Sequence, residues 1–262
     1  MGLGALVGIG LALVVGISLG LLGGGGSILT VPILTYIVGL DPREAIAASL
    51  FIVGVTSLVG LIPHARAGRV HWKVGATFGI ASMVGAFIGG LAGGHINGHI
   101  LMVLFAAMMV ATALAMIRGR RKASPAQAGT TTSSRSWRII GDGLGVGAAT
   151  GLVGAGGGFL VVPALTLLGG LPMATAVGTS LVVIGMKSFA GLGGYLLSVQ
   201  FNWVLILVFT AVAILGSIIG SHAAGRVKEE SLRKGFGYFV FIMGIIVLAQ
   251  EAPNLFRLAT GG

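Results

Sequence analysis

The chain has 262 residues, of which 55% are hydrophobic and only 8% charged, a balance that excludes a soluble domain of this length and marks an integral membrane protein. A formal net charge of +10 first suggests nucleic acid, but every Lys and Arg except Lys187 sits in a connection or near a segment end, the distribution of basic cytoplasmic loops. With no Cys, disulfides and thiolate metal sites are excluded as well.

A hydrocarbon layer about 30 Å thick takes roughly 20 helical residues to cross. Apolar stretches of that order predict spans near residues 3–22, 45–62, 73–94, 99–117, 139–153, 174–197, 203–225 and 235–250. Two further pieces, near 28–38 and 159–169, are too short for an ordinary crossing and follow directly on glycine clusters. None alternates polar with apolar residues as barrel strands do. The expected fold class is an all-α integral membrane protein of about 8 to 10 transmembrane or half-membrane helices with glycine breaks. A cleavable leader would carry a positive start; the first basic residue is Arg43, so the first span is expected to be retained.

That first span runs into GLLGGGGSILTVP, from Gly20 to Pro32. Gly in mid-helix costs roughly 0.5–1 kcal/mol relative to Ala, so Gly23 to Gly26 predict a helix end and a new start near Ser27 or Ile28. A break at membrane depth persists only where protein or a wet cavity satisfies the freed backbone groups. The new start offers unpaired N–H groups and a positive dipole end, and successive glycines can fold into an anion-cradling nest. Gly24, Gly25, Gly26 and Ser27 are therefore candidate binding residues. Scattered glycines such as Gly85 and Gly89 read instead as close helix packing.

Further along, the connection HARAGRVHWK (His64 to Lys73) is basic, whereas GGHINGH (Gly93 to His99) carries no Lys or Arg. The interval RGRRKASPAQAGTTTSSRSWR (Arg118 to Arg138) has no apolar periodicity and reads as a flexible basic linker on the cytoplasmic side. It separates a first membrane repeat, 1–117, from a second, 139–262. Gly20 to Thr35 matches GLVGAGGGFLVVPALT (Gly151 to Thr166), 131 residues later, and the same shift pairs Ser49 with Ser180, Gly60 with Gly191, Trp72 with Trp203, and Gly85 with Gly216. Gly156, Gly157 and Gly158, with Gly154, would thus build a second break.

The charges of corresponding loops reverse. SVQFNW (Ser198 to Trp203) is uncharged and RVKEESLRK (Arg226 to Lys234) is basic. If basic loops face the cytoplasm, the two repeats are inverted, the plan of many secondary transporters, which place the substrate near the midplane where the repeats meet. Two parallel repeats are the competing plan.

Lys187 is the sharpest candidate. It lies well inside the apolar run Val177 to Leu197, where a charge costs about 2.5–3.5 kcal/mol even on a lenient insertion scale, and it is too far from either end for easy snorkelling. Ser180 precedes it by close to two helical turns, Thr179 and Ser188 flank the same region, and Ser49 and Thr56 hold the equivalent positions of the first repeat. Any single hydroxyl of this kind more often bonds back to its own backbone. Together with Lys187 and two glycine helix starts they make a donor-rich set without a carboxylate, suited to an oxyanion.

The duplicated glycine break followed by Pro, GTSL at Gly178 to Leu181 and KSFAG at Lys187 to Gly191 resemble the sulfite exporter TauE/SafE family of bacterial membrane transporters. The resemblance covers roughly residues 5 to 250, although the first repeat has AASL at Ala47 to Leu50 in place of GTSL, so that only Ser49 carries over. It implies transport of a small sulfur-containing anion (sulfite, a sulfonate or a sulfoacetate-like acid) across a prokaryotic cytoplasmic membrane. The implied partners are a small anionic substrate and the lipid bilayer, with no nucleic acid; a homodimer stays open.

Coupling is less visible. Of the acidic residues Asp41, Glu44, Asp142, Glu229, Glu230 and Glu251, only Asp142 is placed to dip into a span, and capping of a helix start explains it equally well. A desolvated Lys187 that lost its proton would offer another route. His64, His71, His95, His99 and His222 fall at connections or span ends and predict no metal site. Trp72 and Trp203 read as interface anchors. No nucleophile with its base lies at membrane depth and GAGGGF lacks a following GK[ST], so neither an enzyme nor a nucleotide-driven pump is expected, and no cofactor. A passive anion channel would use the same donors and remains the alternative.

Overall fold

The computed structural model describes residues 3–23, 27–118, 132–153, 158–168, 170–196, 199, 202–223 and 229–260, and helix dominates them. In chain order these are α1 (Leu3–Leu22), α2 (Ser27–Pro32), α3 (Pro42–Arg66), α4 (Trp72–Gly93), α5 (Gly98–Arg118), α6 (Thr132–Leu152), α7 (Gly158–Pro163), α8 (Met173–Tyr195), α9 (Trp203–Ala223) and α10 (Glu229–Thr260). Both short helices widen into a π-type turn directly after a proline, α2 through Ile33–Ile37 and α7 through Ala164–Leu168. Pro32 and Pro163 lack the N–H that a regular ladder needs, which is the physical reason for the wider turn.

A helix stands at each predicted span and at each of the two short pieces. Among the described residues, α3, α4, α5, α8 and α9 are long and apolar enough to cross a membrane. Two boundaries differ most: α10 runs from Glu229 to Thr260, beyond the predicted 235–250 at both ends, and α6 begins at Thr132, so the last residues of the presumed linker are helical in backbone. No Gly or Pro interrupts the chain from Thr132 to Ile140, and the Ser/Thr run at its start suits a helix N-terminus. Asp142 consequently sits in the interior of α6 and cannot cap its start.

The helices are packed as membrane helices are. On α4 the apolar side chains of Ile80, Val84, Phe87 and Ile88 point outward, while Gly75, Gly79, Ala81, Ser82, Gly85, Ala86, Gly89 and Gly90 are buried. On α9, Val204, Leu207, Leu215 and Ile219 form the outer face. Lipid accepts such surfaces, and small residues on the inner faces let backbones approach closely. A Cβ at Gly85 would meet Leu144 O of α6, and one at Gly216 would meet Leu13 O of α1. Likewise Gly147 lies against Ser82 O and Gly16 against Ala213 O. The partners in each comparison are 131 positions apart, so α6 packs on α4 as α1 packs on α9.

Helices α3 and α8 occupy the centre and run antiparallel. Gly178, near the start of α8, abuts His64 and Arg69 O at the far end of α3; Gly54 faces Ser188 and Phe189; Gly185 faces Leu58. The crossing therefore lies at the level of Gly54 to Leu58 on α3 and Gly185 to Phe189 on α8. Two aromatic side chains then tie interrupted helices to this central pair. His64 Nε2 lies 3.0 Å from Gly20 O, in the last turn of α1, and Tyr195 Oη donates to Leu152 O, the last residue of α6. A helix end leaves four carbonyls without intrahelical partners, and these rings satisfy one at each end.

Candidate functional site

The crossing of α3 and α8 carries the polar side chains of the interior. Lys187 is 1% exposed, and its Nζ donates to Thr150 Oγ1 of α6 at 2.9 Å. Thr150 in turn donates to Val146 O and Gly147 O, so its hydroxyl proton is committed and its lone pairs turn to the amine. Among the described residues no carboxylate pairs with Lys187. One bond to a neutral hydroxyl leaves most of the donor capacity of an ammonium unspent.

Three hydroxyls at the same level have no hydrogen-bond partner: Thr56 Oγ1, Ser57 Oγ and Ser188 Oγ, all buried. Thr56 and Ser57 are on α3, and Ser188 follows Lys187 on α8. An unsatisfied buried polar group costs about 1–3 kcal/mol, so three together with an underused amine are an expensive arrangement for a bundle that only needs to pack. Sequence reasoning reached Thr56, Lys187 and Ser188. It missed Ser57, which the 131-residue shift from Ser188 would have found.

The remaining predicted residues lie elsewhere. Ser49 Oγ donates to Ile46 O and Ser180 Oγ to Val177 O, each at 2.7 Å, the backbone-bonded state that such hydroxyls commonly take in helices. Thr179 accepts from His71 N at 2.9 Å and thereby anchors the α3–α4 connection, well away from the crossing. Ser27 is fully buried as the first residue of α2. Gly23 does end α1, with φ +67°, a left-handed conformation that suits glycine, and a Cβ there would stand 2.6 Å from Ser180 Oγ. Gly24, Gly25, Gly26, Gly156 and Gly157, like Gly154, fall outside the described residues. Gly158 opens α7.

Gly23 and Lys187 stand at different levels of α8. Ser180 precedes Lys187 by seven residues, so the first break lies about 10 Å along α8 from the amine. Thr150, which the amine touches, lies instead two residues before the end of α6 and four before Gly154. Gly23, where α1 ends, is thus offset toward the α3–α4 connection, and the end of α6 lies on the other side of the crossing.

Further polar contacts sit at the end of the bundle near the uncharged α4–α5 connection. Glu251 of α10 is 1% exposed and meets both Tyr36 and His99. Neither this carboxylate nor the buried ring of His64 was singled out from the sequence, because each sits at the edge of an apolar stretch where such residues are ordinary. No group of three or more His, Asp or Glu suited to a metal ion occurs among the described residues.

Comparison with known proteins agrees with this picture of an all-helical membrane protein. The chain is 36% identical over 253 residues to a probable membrane transporter protein of Xylella fastidiosa, a match covering 95% of this chain and 97% of the relative. It is 28% identical to a probable membrane transporter protein of Methanocaldococcus jannaschii, covering 91% and 94% of the two chains, and 27% identical to YdhB of Bacillus subtilis, covering 89% and 96%, which bears the same description. No solved structure matches. The family model described as sulfite exporter TauE/SafE matches residues 8–247, a span that includes the crossing, both glycine breaks and all the helices that bear them; the chain belongs to that family of membrane transporters.

Proposed function

We propose that the protein is a secondary transporter that moves a small sulfur-containing anion, such as sulfite or a sulfonate, across the cytoplasmic membrane. Lys187 is the principal substrate group. The observation that carries this reading is a fully buried amine with no carboxylate partner among the described residues, together with three buried hydroxyls without partners at the same level of the α3–α8 crossing. An oxyanion brings several acceptor oxygens and a negative charge, which satisfies the amine and the hydroxyls of Thr56, Ser57 and Ser188 together. A carboxylate side chain in their place would repel it.

The two halves are read as inverted repeats related by the 131-residue shift. What supports this is the antiparallel course of α3 and α8, which the shift equates, and the reciprocal packing of α1 on α9 and α6 on α4. In such a plan the glycine breaks lie on opposite sides of the central amine, and the backbone N–H groups of Gly24 to Gly26 and Gly156 to Gly158 would receive the anion as it approaches from either face. The family description of sulfite export favours sulfur oxyanions within the anion class.

The test is purified protein in liposomes, assayed for uptake of sulfite, sulfoacetate, thiosulfate and small carboxylates. Accumulation against a concentration gradient is expected for at least one sulfur anion, whereas downhill flux alone would indicate a channel. Lys187→Met should abolish that flux while the protein still elutes as the wild type does. Wild-type flux in the variant would remove Lys187 from the substrate path.

A further inference from the structure

Glu251 is the one buried acidic side chain among the described residues, and it lies where the apolar stretch Gly237–Pro253 of α10 ends. Tyr36 Oη donates to its Oε1 at 2.7 Å, and His99 Nδ1 lies 2.9 Å from its Oε2. Three elements therefore meet on one carboxylate: the wide turn that ends α2, the first turn of α5, and α10. The side chain of His99 is 40% exposed while that of Glu251 is 1% exposed, so the pair joins the surface to the interior.

The other charged or titratable groups at this end, among the described residues, are Asp41, Arg43 and Glu44 at the start of α3, His95 in the α4–α5 connection and Tyr195 at the end of α8, which donates to Leu152 O. Arg43 Nε donates to Ile96 O at 2.7 Å, Asp41 accepts from Arg43 N at 2.9 Å, and His95 Nδ1 lies 2.9 Å from Leu91 O. All belong to the face opposite the basic loops.

We infer that Glu251 is a proton-binding site that couples transport to a proton gradient, with His99 delivering the proton; the coupling role rests on the transporter reading above. A hydronium ion at the exposed edge of the ring protonates His99 at Nε2 and leaves water. The Nδ1–H bond then breaks as that proton bonds to Glu251 Oε2, leaving a neutral imidazole and a neutral carboxyl group. The imidazole nitrogen beside Oε2 can carry or accept a proton, whereas a hard metal cation takes oxygen ligands. A carboxylate accepts hydrogen bonds more strongly than the neutral acid, so loading the proton weakens the clasp on Tyr36. It also removes the charge that would resist displacement of α10 and the α2 turn through an apolar environment. Because Tyr36 closes the hairpin that follows the first glycine break, occupancy of the site governs whether that hairpin stays docked.

The experiment uses the full chain in two settings. In lipid nanodiscs without any anion substrate, infrared difference spectra on acidification should show a carboxylic C=O band that Glu251→Gln lacks; identical spectra for the two proteins would overturn the proton site. In proteoliposomes with sulfite as the probe, Glu251→Gln is expected to retain counterflow at equal pH yet lose accumulation driven by an imposed pH gradient, and His99→Ala to slow that accumulation. Gradient-driven accumulation in Glu251→Gln equal to wild type would overturn coupling through this residue. Absence of sulfite counterflow in the wild type would count against the sulfur-anion reading alone, since the infrared result decides the proton site without it.

Discussion

At the scale of single residues, the role proposed for Lys187 is set against stability. Replacing a buried, barely paired ammonium by an apolar side chain of similar length removes a cost of about 2.5–3.5 kcal/mol on insertion scales. Lys187→Met is therefore expected to raise the unfolding temperature in detergent while it abolishes flux, and thermal denaturation followed by tryptophan fluorescence measures the shift. A fall in that temperature would mean that the bond to Thr150 outweighs the burial of the charge, and that the amine is structural. The residue was legible in the sequence because a cation in the middle of an apolar run has few ordinary explanations. Ser180 was misleading for a related reason: its spacing from Lys187 suits a shared cavity, but spacing says nothing of the backbone carbonyl that captures the hydroxyl first. Glu251 was illegible, since an acid beside Pro253 at the end of an apolar stretch looks like any solvated terminus until α2 and α5 are folded against it.

At the scale of elements, the broken helices depend on side chains from the central pair. Tyr195→Phe keeps the ring but leaves Leu152 O without its donor, which is expected to cost about 1–3 kcal/mol. The expected signature is faster amide exchange in the last turn of α6 together with a lower unfolding temperature; unchanged exchange there would show that another group satisfies this carbonyl. The helices themselves were readable, because hydrophobic length and glycine clusters act locally. The start of α6 was not, since basic and hydroxyl residues describe a linker and a first helical turn equally well. The level of each glycine break relative to Lys187 was also hidden: it is set by which helix each break touches, and Gly23 meets Ser180 only because α1 reaches α8.

At the scale of the whole molecule, inversion of the halves makes a prediction that the cysteine-free chain is well suited to test. Single cysteines at Ala67, Asn97 and Asn202 report the α3–α4, α4–α5 and α8–α9 connections against no background. With an impermeant maleimide, the position at Ala67 is expected to label from the cytoplasmic side, and those at Asn97 and Asn202 from the other. Labelling of Asn202 from the same side as Ala67 would sink the inverted plan in favour of parallel repeats. The charge pattern of the loops is what suggests the inversion, because basic side chains resist translocation wherever they occur. It did not reveal that α1 rests on α9 and α6 on α4, since those contacts depend on backbone approach at Gly16, Gly85, Gly147 and Gly216.

That exchange of partners bears on biogenesis. The backbone of α1 fits against Ala213 and Ser217 of α9, so α1 leaves the ribosome long before its partner and waits in the bilayer until α9 has been synthesised. Contacts so remote in sequence form slowly and leave an orphan surface open to chaperones or proteases in the interval. Each half made by itself is expected to be degraded, and the two produced together from separate messages to rescue one another.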